Sequence, residues 1–409
     1  MSSEHDVLTS DQGQAGIPRR SFLKGAAGVV AASAASGLVP AFAGPAVLSG
    51  QGTAASTAAK PKFAYVGCYT TKERDGHGKG IAVYRIEPSG EWTQVQLLEM
   101  FNPSFLAFDR RQRFLYSVHG DGTFVTSYTV DKQTGQIKML NQQATGGKNS
   151  VHLSIDSANR YLLTANYSSG ALTSFQLQDD GSIGPLRDSV SLPGPIGPHR
   201  VEQGFSHPHD IPFDRAGHFV VVPDKGLDRV FSFRIDSNGK FIPGNPPFVA
   251  GRSGSAPRHA DFHPTLPIAY VINELNSTMT TYKYNSDTGE LQPLQVVPML
   301  PTSFTGESVC AEIAVAPSGR FVYGSNRGHE SITILSVDPA TGLLTPIGWE
   351  PSQGKTPRFF ALDPAGANLY ACNQDSDTIV FFRIDQKTGK LTPTGQVVKT
   401  GSPVCIVFA

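Results

Sequence analysis

Two short stretches carry the side chains best suited to chemistry. "SAPRHADFHP" (residues 255–264) sets Arg258 beside His259 where a strand is expected to begin, and "AYVINELNS" (residues 269–277) sets Glu274 where the next strand is expected to end. A strand that hides one face in a core carries apolar side chains there, so a guanidinium, an imidazole and a carboxylate at the ends of one hairpin need an explanation. A planar cation suits a carboxylate, a phosphate or a developing oxyanion. A carboxylate or an imidazole can move a proton. Two plainer accounts compete: Arg258 and Glu274 as a cross-strand ion pair, and His152 and His259 as buried, hydrogen-bonded structural histidines.

The elements that hold these residues repeat along the chain. Six stretches begin near residues 103, 151, 208, 257, 310 and 357, at a spacing of 47–57 residues. Each reads as a strand, a polar turn, a strand ending in Asn, Asp or His, a short loop, an alternating strand, a turn of the Asp-x-x-Thr-Gly kind, and a fourth strand. Four short antiparallel strands per repeat of this length specify a β-propeller blade. The alternation and the β-branched and aromatic content exclude a helical solenoid. The two ends complement each other. "SPVCIVFA" is a first strand without a successor, and "KFAYVGCYTT…GIAVYRI…EWTQVQLLEM" is three strands without a first. The chain is therefore expected to be an all-β, seven-bladed propeller, one domain over residues 62–409, closed by pairing of its N- and C-terminal strands and free of exposed edges.

Equivalent positions can then be compared around the ring. The second residue of the first strand is Ser104, Val151, His209, Arg258, Ala311, Arg358 or Val404, and the next is Phe105, His152, Asp210, His259, Glu312, Phe359 or Cys405. The second strand ends at Cys68, His119, Asn166, Asp224, Asn273, Asn326 or Asn373, followed by Tyr69, Gly120, Tyr167, Lys225, Glu274, Arg327 or Gln374. First strands line the channel of a propeller, and antiparallel pairing brings both sets of positions to one mouth. Arg258 and Glu274 thus meet where the blades converge, with His209 and Arg327 as neighbours. Polar residues that break the repeat and gather at one mouth point to a small-molecule ligand. His152, His259, Glu312 and Arg358 are candidates to contact it. The recurrent Asn166, Asn273, Asn326 and Asn373 are expected to cap strand ends by bonding loop backbone.

Composition narrows the partners. Lys plus Arg and Asp plus Glu are 34 each, so the whole chain has no general attraction to nucleic acid or anionic lipid. His207 and His209 in "HPH", or His259 and His263, suggest a metal, but four residues along a strand span about 13 Å. No metal site and no cofactor are expected. The four cysteines, Cys68, Cys310, Cys372 and Cys405, include no close pair and read as buried thiols. Pairing of the chain ends would bring Cys68 near Cys405, where a disulfide would need demanding cross-strand geometry.

Residues 1–43 read as a twin-arginine export signal. Arg19-Arg20 precedes Ser21-Phe22-Leu23-Lys24, a weakly apolar Ala/Gly/Val stretch follows, and Ala41-Phe42-Ala43 forms a small-x-small cleavage site. The stretch is too short and too weakly apolar for a comfortable membrane span. Residues 44–61 read as a flexible leader. The mature chain is expected to start near Gly44 and to work in the periplasm or outside the cell, with no membrane attachment after cleavage.

The chain resembles the seven-bladed propeller lactonases, typified by bacterial 6-phosphogluconolactonase and including the fungal carboxy-cis,cis-muconate cyclases. "NPSFLAF", "LLTANYSSG", "SHPHDIPFD", "PRHADFHP", "YVINELNS" and "EIAVAPSGRFVYGSNRG" carry the resemblance, and the order of "SHPH", "PRHADFHP", "NEL" and "SNRG" is its most specific part. It implies a catalytic set of His209, Arg258, Glu274 and Arg327, matching the residues picked out by the ring comparison. Lactone hydrolysis would use Glu274 or His209 as base, with Arg258 and Arg327 on the oxyanion or on an acidic group of the substrate. No G-x-S-x-G motif is present to supply a serine nucleophile. Two alternatives stand beside the hydrolase: a muconate-type lactonising cyclase, and a periplasmic propeller that binds a ligand or protein without catalysis.

Overall fold

A computed structural model describes residues 61–409. The export signal and nearly all of the leader expected from the sequence lie outside those residues. The described chain forms seven antiparallel sheets arranged as propeller blades, six of four strands and one of three. The closing blade joins both ends of the chain: inner strand Pro403–Phe408 pairs with Phe63–Cys68, which is followed by Gly80–Ile86 and Trp92–Glu99. Lys62 N donates to Ala409 O at 2.7 Å, and Ala409 N donates to Phe63 O at 2.9 Å.

Why these sequences make blades is clear in the fourth repeat. Its strands are Pro257–Phe262, Ile268–Asn273, Thr278–Tyr284 and Leu291–Pro298. Every residue of Ile268–Asn273 is buried, because neighbouring blades cover both faces of the sheet. That explains an unbroken apolar run in place of simple alternation. The outer strand Leu291–Pro298 is largely solvated, with Gln292, Pro293, Leu294 and Pro298 exposed. Among the described residues the buried apolar side chains form seven clusters, one at each interface between adjacent blades. The core is therefore a ring of seven seams around the channel.

A repeated device sets the spacing of the blades. The turn before each outer strand carries a glycine with positive φ, such as Gly135 at 74° and Gly389 at 72°. At four of the seven turns a tyrosine on the preceding blade's second strand donates its hydroxyl to that glycine's carbonyl: Tyr65 to Gly135 at 2.8 Å, Tyr116 to Gly181 at 3.0 Å, Tyr270 to Gly342 at 2.8 Å and Tyr323 to Gly389 at 3.0 Å. A side chain at Gly389 would run into the Phe321 ring.

The third blade departs from the four-strand expectation. Residues 208–213 make only isolated bridges, Pro208 to Asp224 and Phe213 to Val220, beside strands Phe219–Asp224, Arg229–Ile235 and Phe241–Ala250. Pro208 and Pro212 have no N–H to give the ladder. The segment is held instead by His209 N donating to Pro223 O and by Val221 N donating to Pro212 O, both at 3.0 Å.

One local expectation is met and another needs correction. All four cysteines are buried free thiols. The register sets Cys405 opposite Gly67 and Cys68 opposite Pro403, and the Cys68 thiol turns away to Gly80 O at 2.9 Å. The strand-end asparagines bond mainly to hydroxyls of the third strand rather than to loop backbone. Asn273 Nδ2 donates to Thr278 and Thr280, and Asn166 Nδ2 to Thr173; Asn326 and Asn373 add one carbonyl each, Met299 O and Ser352 O. Asp224, the acidic equivalent, is the one that caps a loop, accepting from the N–H groups of His207, Gly226 and Leu227.

Candidate active site

One irregularity, repeated around the ring, aims the side chains. In the fourth blade Pro257 pairs with Asn273 and His259 with Ile272, so Arg258 has no partner across the ladder. The same one-residue bulge frees Ser104, Val151, Arg358 and Val404 in the first, second, sixth and closing blades. In the fifth blade, whose first two strands are Val309–Val315 and Phe321–Arg327, Ala311 and Glu312 share Ser325 as their only opposite residue. A bulge breaks the strict alternation of faces. Adjacent residues such as Arg258 and His259 can then both line the pocket in the channel, and both do, with His209, Glu312 and Arg358.

Glu274 is placed by its own backbone. Its N–H donates to Ala256 O at 2.8 Å and its carbonyl accepts from Cys310 N at 3.1 Å. Its carboxylate, 9 % exposed, receives three cations: Lys225 Nζ at 2.9 Å, Arg258 Nε at 3.1 Å and an Arg327 terminal nitrogen at 3.2 Å. Burial pushes the Glu274 pKa up, but the three cations outweigh it and hold the carboxyl well below its ordinary range. For Lys225 burial opposes the charge, yet Glu274, with Tyr167 and Glu202, raises its pKa. Burial lowers Arg258 to about 10, and the neighbouring Arg358 adds to that effect. Arg258 also donates to Ala311 O at 2.5 Å, and Arg327 to Cys310 O at 2.8 Å.

The imidazoles form a second set. His209 Nδ1 lies 3.1 Å from His259 Nε2, and His259 Nδ1 lies 2.9 Å from Glu312 Oε1. Burial, reinforced by Arg258, keeps both rings well below the usual histidine range. Burial raises the Glu312 carboxyl to about 8, against the lowering pull of Arg258. The His259–Glu312 contact is thus mainly a bond between neutral groups at pH 7, although its geometry is that of an ion pair. His152, expected at the mouth, does not join this pocket. Its Nε2 bonds Asp210 at 3.0 Å, and Asp210 in turn accepts from Ala260 N at 2.8 Å, tying three blades together. Arg358 forms no salt bridge among the described residues; its guanidinium lies 5.6 Å from the centre of the Tyr69 ring.

Comparison with known proteins gives this geometry a family. Residues 63–408 match the family described as "Lactonase, 7-bladed beta-propeller". The chain belongs to this lactonase family. A 6-phosphogluconolactonase of Bacillus subtilis is 34% identical over 304 residues, covering 73% of this chain and 84% of that protein. One from Formosa agariphila is 32% identical over 316 residues, covering 73% and 86%. Among solved structures, a periplasmic gluconolactonase of Pseudomonas aeruginosa superposes with a TM-score of 0.79 at 29% identity, covering 85% of this chain and 98% of that one.

Within this lactonase propeller, His209, Arg258, Glu274 and Arg327 come together as a group, joined by Glu312, His259 and Arg358 in the channel. Lys225 is the functional candidate that sequence reasoning passed over. Its signal was present: it occupies the same repeat position as Glu274 and Arg327, one blade before Glu274 and two before Arg327. The bulges left no comparable mark, because an extra residue in one strand cannot be told from a turn of different length. Among the described residues no helix is long and apolar enough to cross a membrane.

Proposed function

We propose that the protein hydrolyses a sugar-derived lactone, with His209 as the general base. The observation that carries this reading is a neutral His209 in a channel pocket with Arg258 and Arg358, while Glu274 is tied up by Lys225, Arg258 and Arg327. Of the two bases considered from the sequence, Glu274 is the weaker candidate. A carboxylate under three cations has little basicity, and its charge is better used to fix the two arginines. His209 takes a proton from water as the oxygen adds to the lactone carbonyl. The charge that develops on the carbonyl oxygen is met by a guanidinium. The ring C–O bond then breaks, and the proton returns to the departing ring oxygen, leaving a hydroxy acid. Arg358, which has no carboxylate partner among the described residues, is the cation available to an acidic group where the lactone carries one.

The relatives named 6-phosphogluconolactonase support a sugar-derived lactone, and the periplasmic gluconolactonase supports an unphosphorylated one acting outside the cytoplasm. The second fits the Arg19-Arg20 signal, which would export the folded chain and exclude it from cytoplasmic sugar phosphates. Purified protein assayed on aldonolactones with and without phosphate, beside muconates, tests the reading. Hydrolysis of an aldonolactone upholds it, lactonisation of a muconate moves the protein to the cyclase reading, and turnover of neither class favours a binding role. Replacing Arg19 and Arg20 by Lys and fractionating cells tests the export. Unchanged periplasmic yield would remove it.

A further inference from the structure

We infer that Glu312, acting through His259, sets which nitrogen of His209 carries the proton, and so switches His209 between a proton donor and a proton acceptor toward the channel. The inference rests on the hydrolase reading for its catalytic meaning but not for its structural content. Three groups from three blades form one line: Glu312 Oε1 to His259 Nδ1 at 2.9 Å, then His259 Nε2 to His209 Nδ1 at 3.1 Å. All three residues are at least nine-tenths buried, and each ring offers one nitrogen to each neighbour. A neutral imidazole has one donor and one acceptor nitrogen, so the first proton position dictates the others.

With Glu312 ionised, its oxygen accepts from His259 Nδ1–H. His259 Nε2 is then bare and accepts from His209 Nδ1–H, which leaves His209 Nε2 with a free lone pair, the form a general base needs. With Glu312 protonated, every bond in the line reverses. Glu312 donates to His259 Nδ1, His259 Nε2–H donates to His209 Nδ1, and His209 Nε2 carries a hydrogen. That form can only donate. One proton added at Glu312 therefore changes the function of an atom two residues away, with no charge placed on either ring.

The surroundings hold Glu312 near the point of switching. Arg258 from the fourth blade and Arg358 from the sixth favour its ionised form, as does the N–H of Ile313, which donates to Oε1 at 3.0 Å. Burial opposes ionisation. Glu312 in turn raises the pKa of two buried acids nearby, Asp210 and Asp261. Cys372 and Cys405, from the sixth and closing blades, face it as neutral thiols. Oε2 has no hydrogen-bond partner among the described residues. The balance gives a carboxyl that titrates at about 8, inside the range where an enzyme works. His152 is the nearest further imidazole, its ring 5.9 Å from that of His259, and it is bonded to Asp210 rather than to the line.

The test needs no substrate for its first arm. Protein labelled with ¹⁵N at histidine is titrated from pH 6.5 to 9.5, with His209 and His259 assigned by His209→Asn and His259→Gln. Both rings should exchange tautomer together with one midpoint near pH 8, without passing through the imidazolium shift, and Glu312→Gln should abolish that midpoint. The second arm is the pH profile of kcat/KM on the lactone the enzyme turns over. In the parent it should rise about tenfold per unit below the midpoint and level off above it. In Glu312→Gln the profile should be flat across the same range. A single unchanging tautomer at His209 in the parent overturns the inference, as does a parental pH profile in Glu312→Gln. If no lactone is turned over, the hydrolase reading falls alone, and the tautomer titration of the parent still decides the relay.

Discussion

Glu274 holds three cations, and its removal tests two ideas at once. A peripheral ion pair would lose at most about 1 kcal/mol on mutation, the outcome suggested by the hairpin reading of the sequence. At 9 % exposure with Lys225, Arg258 and Arg327 around it, Glu274→Gln leaves buried charge uncompensated, a change that costs about 3–5 kcal/mol. Its melting temperature should therefore fall, and kcat/KM should drop by about 10²-fold as the arginines lose their fixed positions. His209→Asn should separate the two effects, with activity down by roughly 10²–10⁴-fold and melting nearly unchanged. If His209→Asn keeps the parental rate, the base lies elsewhere. Arg358→Gln should raise KM for an acidic lactone about tenfold or more, as expected for loss of a charged hydrogen bond, and leave a neutral lactone little affected. Glu312 gives a stability signature of its own. Its folded pKa, about 8, lies above the ordinary value of 4.5. Between those pH values the folded state holds a proton that the unfolded chain has released, so this group's contribution to stability declines as pH rises through the window. Glu312→Gln should flatten that decline in melting temperature measured from pH 5 to 9.

The strands were the most legible elements. Alternation, turn glycines and the repeated Asn or Asp gave six blades and a divided seventh, and the observed sheets follow that plan except at residues 208–213. There the two prolines in "HPHDIPFD" are visible in the sequence, but their cost to the ladder depends on a partner strand that only the fold supplies. Grouping of Arg258, Glu274, His209 and Arg327 was legible because the repeat superimposes them. The line through His259 and Glu312 was legible only as two polar candidates, since its order depends on bulges and on side-chain direction across blades. The Tyr-to-turn bond is the element-scale prediction. Tyr323→Phe removes the donor to Gly389 O at 3.0 Å and should lower stability by about 1 kcal/mol in denaturant unfolding. Gly389→Ala should cost more, because it combines a φ of 72° with collision against Phe321. Equal midpoints for Gly389→Ala and the parent would mean that the turn is not what spaces these blades.

At the scale of the molecule, seven apolar seams hold the ring, and one of its blades is completed only when the last strand arrives. Removing residues 402–409 takes away the inner strand of the closing blade, uncovers the Phe63–Cys68 edge, and strips Cys405 and Ile406 from two seams. Soluble yield should collapse. A truncated protein with the parental melting curve would show that closure contributes nothing. The meeting of the two ends at 2.7 Å, Lys62 to Ala409, has another consequence. The cyclic order of the blades does not depend on where the covalent chain is cut. A permutant that joins residues 62 and 409 through a short linker, and opens at the exposed Pro195–Ile196 bond between the second and third blades, would draw each of its seven blades from one continuous stretch. It should reach the same ring while losing the strap that now bridges start and finish. Its two ends would then be held together by side-chain packing and side-chain hydrogen bonds between the second and third blades, such as His152 to Asp210, with no strand pairing across the seam. The difference in unfolding free energy between permutant and parent would measure what closure by backbone pairing is worth.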